Sequence, residues 1–191
     1  MSEILILARI RIHEFDLPMV TDYYFDVSQK LAKVKGSNGL SVWREQKDHE
    51  SFFVCYEYAD LAAAERGLVA ISQIRILAET QAADFNPADV QRIRVAQYYG
   101  KRLSETDTSA VLSLSEQVAD PGYGPDLLEE LDQILAQLAC IPGYIGAVYG
   151  TNDVLDEEAF ALVTWESRED FISSLPPHAY SRDIKLYGRF F

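Results

Sequence analysis

Few side chains in this 191-residue sequence could do proton chemistry near neutral pH. His13 stands beside Glu14 at the end of a strand-like segment. An imidazole next to a carboxylate is a general-base candidate, and the same position also reads as an exposed strand end. Trp43 and Arg44 are adjacent on a later strand-like segment, and Tyr58 ends the next one. An indole, a guanidinium and a phenol could together hold a planar aromatic molecule and steady its anion. Tyr23, Tyr24, Tyr56, Tyr98 and Tyr99 add aromatic surface, which suits either an aromatic-lined cavity or plain core. No Gly-rich phosphate loop, GxSxG elbow, flavin or nicotinamide fingerprint, or metal-ligand constellation occurs in the sequence. The expectation is therefore chemistry without a cofactor. Cys55 and Cys140 each sit in an apolar context without a second ligand at metal spacing, which predicts two buried free thiols suited to a reducing cytoplasm.

These residues need elements to position them. Ile4 to His13 alternates, with Ile4, Ile6, Ala8, Ile10 and Ile12 on one side and Leu5, Leu7, Arg9 and Arg11 on the other. Pro18 opens a helix whose apolar positions are Val20, Tyr23, Tyr24, Val27, Leu31 and Val34. Strands at Leu40 to Gln46 and Phe52 to Tyr58 flank a hairpin loop. Asp60 caps a second helix reaching to about Ala83, and Arg92 to Tyr99 is a fourth strand. LSETDTS, Leu103 to Ser109, lacks periodicity and reads as a linker. The same order then restarts. Ala110 to Val118 is a strand, and a helix carries Leu127, Leu128, Leu131, Ile134, Leu135 and Leu138. Tyr144 to Gly150 and Ala159 to Trp165 form a hairpin, Ser167 caps a shorter helix, and Asp183 to Phe191 is a closing strand.

Two βαββαβ units are thus predicted, at residues 1–103 and 109–191, with 104–108 between them. An offset of 107 pairs Ile4 with Val111, Phe53 with Phe160, Cys55 with Leu162, Tyr58 with Trp165 and the cap Asp60 with Ser167. Each unit folds as a ferredoxin-like antiparallel sheet with both helices on one face. In Phe52-Phe53-Val54-Cys55-Tyr56 both alternating sets are apolar, so the bare face needs cover. The other unit's sheet supplies it, giving one α+β barrel. Burying each such side chain stabilises by about 1.5–3 kcal/mol, so a lone half is expected to be unstable or to dimerise.

The formal net charge of −13 argues against nucleic acid and anionic membrane surfaces as partners. Arg92, Arg94, Lys101 and Arg102, then Arg182, Lys185 and Arg189, read as solvated strand faces. The first apolar run is short and broken by Arg9 and Arg11, so neither a signal peptide nor a membrane span is expected and the cytoplasm is the expected location.

IPGYIGAVYG followed by EEAFALVTWESREDFISSLP resembles the antibiotic biosynthesis monooxygenase domains of the dimeric α/β-barrel superfamily. The resemblance covers residues 110–191, and reaches 3–103 through element order and the segments GLSVWREQ and FVCYEYAD. It implies one such domain per chain pairing as a homodimer. A tandem chain would build that barrel internally, with further association left open. It also implies cofactor-independent oxidation of electron-rich aromatics such as quinols and anthrones, the substrate supplying electrons to oxygen. Trp165 matches the family's pocket tryptophan, or packs as core. His178, after Pro176-Pro177, falls near a helix where a haem-degrading branch places its iron ligand, or lies on the surface. That branch has an asparagine on its first strand. Here the first strands have none and Asn152 lies in a hairpin, which tells against haem degradation. Trp165 and His178, from the resemblance, and His13, from its place beside Glu14, are the expected catalytic residues, and Arg44, His13 or His178 could stabilise a substrate anion.

Two functions follow. One is a monooxygenase-like protein for a small aromatic or quinol-type compound. The other is a non-catalytic small-molecule-binding or structural barrel with a degenerate site. The second half carries the better match and is the expected seat of the pocket, although the longer helix of the first half could enclose the better cavity.

Overall fold

The computed structural model describes residues 2–79, 89–175 and 185–191. In chain order they form β1 (Ile4–Arg11), α1 (Leu17–Leu31), β2 (Ser37–Glu45), β3 (Ser51–Tyr58), α2 (Leu61–Glu79) and β4 (Asp89–Gly100). They continue as β5 (Val111–Val118), α3 (Gly124–Leu138), β6 (Tyr144–Asn152), β7 (Glu158–Trp165), α4 (Arg168–Ser174) and β8 (Leu186–Arg189). The expected continuation of the second helix to Ala83 lies outside the described residues, as do Asp183 and Ile184 of the expected last strand.

The eight strands close into an antiparallel barrel in the order β1-β3-β2-β8-β5-β7-β6-β4. Closure leaves the sheet without a free edge where the ladders are complete. Two junctions join the halves. Trp43 to Glu45 of β2 pair with β8, and the distal part of β4, Ile93 to Gly100, pairs with β6. β4 is long enough to do both jobs, because its proximal part pairs with β1.

The period-2 pattern read in β1 is the pattern seen. Ile4, Ile6, Ala8, Ile10 and Ile12 face outward under α1 and α2, while Leu5 and Leu7 point into the barrel. The interior is filled by both halves: Trp43, Phe53 and Cys55 meet Leu112, Val148, Phe160 and Leu162. A third cluster lies under α3 and α4. The pairing registers of the halves coincide under the 107-residue offset: Ile6↔Tyr56 and Ala8↔Val54 in one, Ser113↔Val163 and Ser115↔Ala161 in the other.

Two expectations need correction. Cys55 is buried but Cys140 is exposed, because it follows α3 at its solvent end. Arg189 is not on a solvated face. It shares the inward face of β8 with Tyr187, stacks over Trp43 at 5.2 Å and donates to Thr106 at 3.2 Å. Within the segment read as a linker, Leu103–Glu105 forms one 3-10 turn, and Leu103 is buried among the barrel's interior residues. The buried carboxylate of Glu57 accepts from the Ser104 amide at 2.8 Å and fastens this turn over the barrel end. Among the described residues no helix is long and apolar enough to cross a membrane.

Candidate functional site

The largest difference between the halves lies between sheet and helices. Among the described residues of the first half that layer is closely filled. Ile6, Val54, Tyr56, Val20, Tyr24 and Val27 are all buried there. The phenols of Tyr24 and Tyr56 hydrogen-bond each other, and burial pushes both well above the ordinary tyrosine range. α2, nineteen residues long, adds Ala63, Ala64, Ile71 and Ile74 to the cover.

At the offset positions the second half has Ser113 for Ile6, Ala161 for Val54, Val163 for Tyr56 and Leu131 for Tyr24. Each replacement is smaller or more polar. α4 is also short. Ser167 caps it, accepting from the Asp170 amide at 3.1 Å, and the chain is already extended at Leu175, before Pro176. The missing side-chain volume and the shorter helix leave a cavity of about 710 Å³. Small-molecule sites commonly span about 300–1,000 Å³.

The cavity has two unlike walls. Leu131, Ile134, Leu135 and Leu138 of α3, with Phe171 of α4, make an apolar one. Opposite, the outward face of β5 presents Ser113, Ser115 and Gln117, with Val163 and Ala161 of β7 beside them on the same sheet. Arg9, Glu116, Lys185 and Tyr187 also line it, and Arg9 is ion-paired with Glu116. Burial raises the Tyr187 phenol, and the nearby Glu45 carboxylate adds to that rise. α3 is held by a second polar feature outside the cavity. Asp132 accepts from Tyr99 at 2.8 Å and from Tyr149 at 2.5 Å, and these bonds hold its carboxyl below the usual range.

The residues singled out from sequence do not gather at this cavity. Trp165 lies two residues beyond Val163, with 1% exposure, its ring against Tyr144 at 5.9 Å and Phe171 at 6.2 Å. It stands behind Phe171 rather than on the cavity wall, and its indole N–H has no partner among the described residues. Trp43 faces the barrel interior and donates to Ser41 Oγ at 2.9 Å. Arg44 braces the hairpin, donating from Nε to the His49 carbonyl at 2.8 Å and resting over Phe52. Tyr58 is fully buried in the first half against Gly67, and its hydroxyl has no partner among the described residues. His13 is exposed and its Nδ1 lies 3.1 Å from Glu50, whose carboxyl that contact holds low. Asn152 donates to Gln91 and Glu158, both at 2.7 Å. His178 lies outside the described residues.

Sequence reasoning missed the polar strip of β5. A signal was present: laid on β1 at the 107-residue offset, the buried isoleucines Ile6 and Ile10 become Ser113 and Gln117. A strand face that should meet helices had exchanged apolar for hydrogen-bonding side chains. Among the described residues no group of three or more His, Cys, Asp or Glu could hold a metal ion.

No protein-family model matches the sequence, and no curated protein matches it. Solved structures do match its fold. One is a "putative monooxygenase" from Lactobacillus acidophilus, with TM-score 0.77 and 14% identity over 99% of this chain and 94% of the other. Another is an anthrone oxidase-like protein, with TM-score 0.69 and 10% identity over 100% of this chain and 92% of the other. A third is a ferredoxin-fold protein from Listeria monocytogenes related to antibiotic biosynthesis monooxygenases, with TM-score 0.55 and 10% identity over 100% of this chain and 96% of the other. The chain has the α/β-barrel fold of these proteins.

Proposed function

We propose that this chain is a monooxygenase-like protein that works without a cofactor and binds a small aromatic or quinol-type compound between β5, β7 and α3. We further propose that residues 1–103 and 109–191 are its two structural units, the first a filled partner and the second the ligand-bearing one. The observation that carries this reading is the cavity of about 710 Å³ in the second half, apolar on its helix side and polar on its strand side. The likeness in fold to a protein named for anthrone oxidation supports the substrate class, though fold alone never fixes a reaction.

In the reaction, an electron-rich ring gives up a proton and becomes an anion able to reduce dioxygen. Oxygen adds to the oxidised carbon, a CH₂ becomes C=O, and the second oxygen leaves as water with both lost hydrogens. The protein's part is to exclude water from the ring and to stabilise the anion. Arg9 and Lys185 of the lining are the cations that could face it, and Glu116 is the carboxylate nearest Arg9.

The test is oxygen uptake against a panel of quinols and anthrones. One dioxygen consumed per molecule oxidised is expected, and Val163→Tyr, which refills the cavity, should abolish uptake. A second reading, binding without catalysis, is favoured by one observation. Among the described residues the cavity has no imidazole or thiol, and its carboxylate is already paired with Arg9. Absence of turnover with any compound would select that second reading.

A further inference from the structure

Resting on the ligand-binding reading, we infer that the strip Ser113–Ser115–Gln117 is the specificity wall: it selects ligands carrying hydrogen-bonding oxygens along one edge and an apolar ring face towards α3. The three side chains project from alternate positions of one strand face, about 6–7 Å apart. They face a wall built from Leu131, Ile134 and Leu138. Their own hydrogen bonds are weak. Gln117 donates to Ser115 Oγ at 3.3 Å, and Ser113 lies 3.4 Å from the Val163 carbonyl. Lone pairs and donors are therefore free to turn to a ligand. The first half supplies the internal comparison. At the same register its strand has Ile6, Ala8 and Ile10, which are apolar and buried among the described residues of α1 and α2. A polar strip opposite an apolar helix distinguishes the two edges of a flat molecule, whereas an all-apolar slot would not.

The selection is for neutral donors and acceptors. The strip itself has no charge, and of the charged lining residues Arg9 is already engaged by Glu116. Ser115 and Gln117 are exposed, so an oxygenated aromatic exchanges the water on them for its own hydrogen bonds, while a bare hydrocarbon displaces that water and returns none.

The test is calorimetric titration without oxygen, so that binding is read independently of turnover. The probes are 1,5-dihydroxynaphthalene and naphthalene. Wild-type protein should bind the diol about tenfold or more tightly than the hydrocarbon, the effect of one to two net hydrogen bonds. Ser113→Ala combined with Ser115→Ala and Gln117→Leu should erase that preference while keeping naphthalene binding. Ser113→Ile, which copies the first half, should weaken both probes. Equal preference in wild type and the triple variant would overturn the inference, as would binding of neither probe by wild type. A selective site that consumes no oxygen with any substrate would sink the catalytic reading alone and leave the specificity wall standing.

Discussion

Mirror substitutions in the two halves should have unequal costs. Tyr56 and Val163 occupy matching positions on β3 and β7, each opposite the corresponding residue of β1 or β5. In Tyr56→Val a buried ring is lost from a closely filled layer. Large-to-small changes of an aromatic cost about 3–5 kcal/mol when cut to alanine, so retaining valine's carbons leaves about 2–3 kcal/mol. The Tyr24 hydroxyl also loses its partner in a buried site, adding about 1–3 kcal/mol. A total of about 3–6 kcal/mol is expected. In Val163→Tyr the new ring enters existing space beside Leu131 and Phe171. Its burial gains about 1.5–3 kcal/mol, opposed by about 1 kcal/mol of side-chain entropy and about 1–2 kcal/mol for an unmatched hydroxyl. The sum lies near zero. Urea unfolding of both variants reads the difference, with at least about 2 kcal/mol separating them. Equal destabilisation would refute the claim that one half is filled and the other open.

Other outcomes follow from the same structure. Tyr58→Phe removes a fully buried hydroxyl that has no partner among the described residues, and should leave stability unchanged or raise it by about 1 kcal/mol in thermal unfolding. Asp132 has a lowered carboxyl pKa, so its contribution is present above the ordinary aspartate range and lost as pH falls through the depressed value. Acid titration followed by circular dichroism should therefore show a smaller acid-side loss of stability in Asp132→Asn than in wild type. Glu57 has the opposite sign. Burial raises its pKa, so its favourable contribution holds at low pH and fades as pH climbs from 4.5 through the raised value. Glu57→Gln should flatten that decline in urea midpoints measured between pH 4 and 8.

The architecture was legible because its signals are local and periodic. Alternation in Ile4 to Arg11 fixed two buried faces, Asp60 and Ser167 marked helix starts, and the doubled apolar character of Phe52 to Tyr56 required a second sheet. The site was much less legible. Trp43 and Tyr58 were picked for residue type and Trp165 on the family resemblance, and the three lie buried in three different layers. Which layer a side chain enters depends on strand parity and on what packs above it. The cavity is defined by what is small, Ala161, Val163 and Ser113, and small residues announce nothing until set against their bulkier counterparts. Arg189 was misread for a related reason: a cation on a strand looks solvated until barrel closure turns its face inward. The order in Leu103–Glu105 comes from contacts distant in sequence, above all Glu57, which local patterning cannot show.

A crystal structure of the chain grown with 1,5-dihydroxynaphthalene under nitrogen would be decisive. The account predicts ligand density between α3 and β5, with its oxygens towards Ser113 and Ser115 and its ring on Leu131 and Phe171. Density on the α1–α2 side, inside the barrel, or in no ordered position would contradict it.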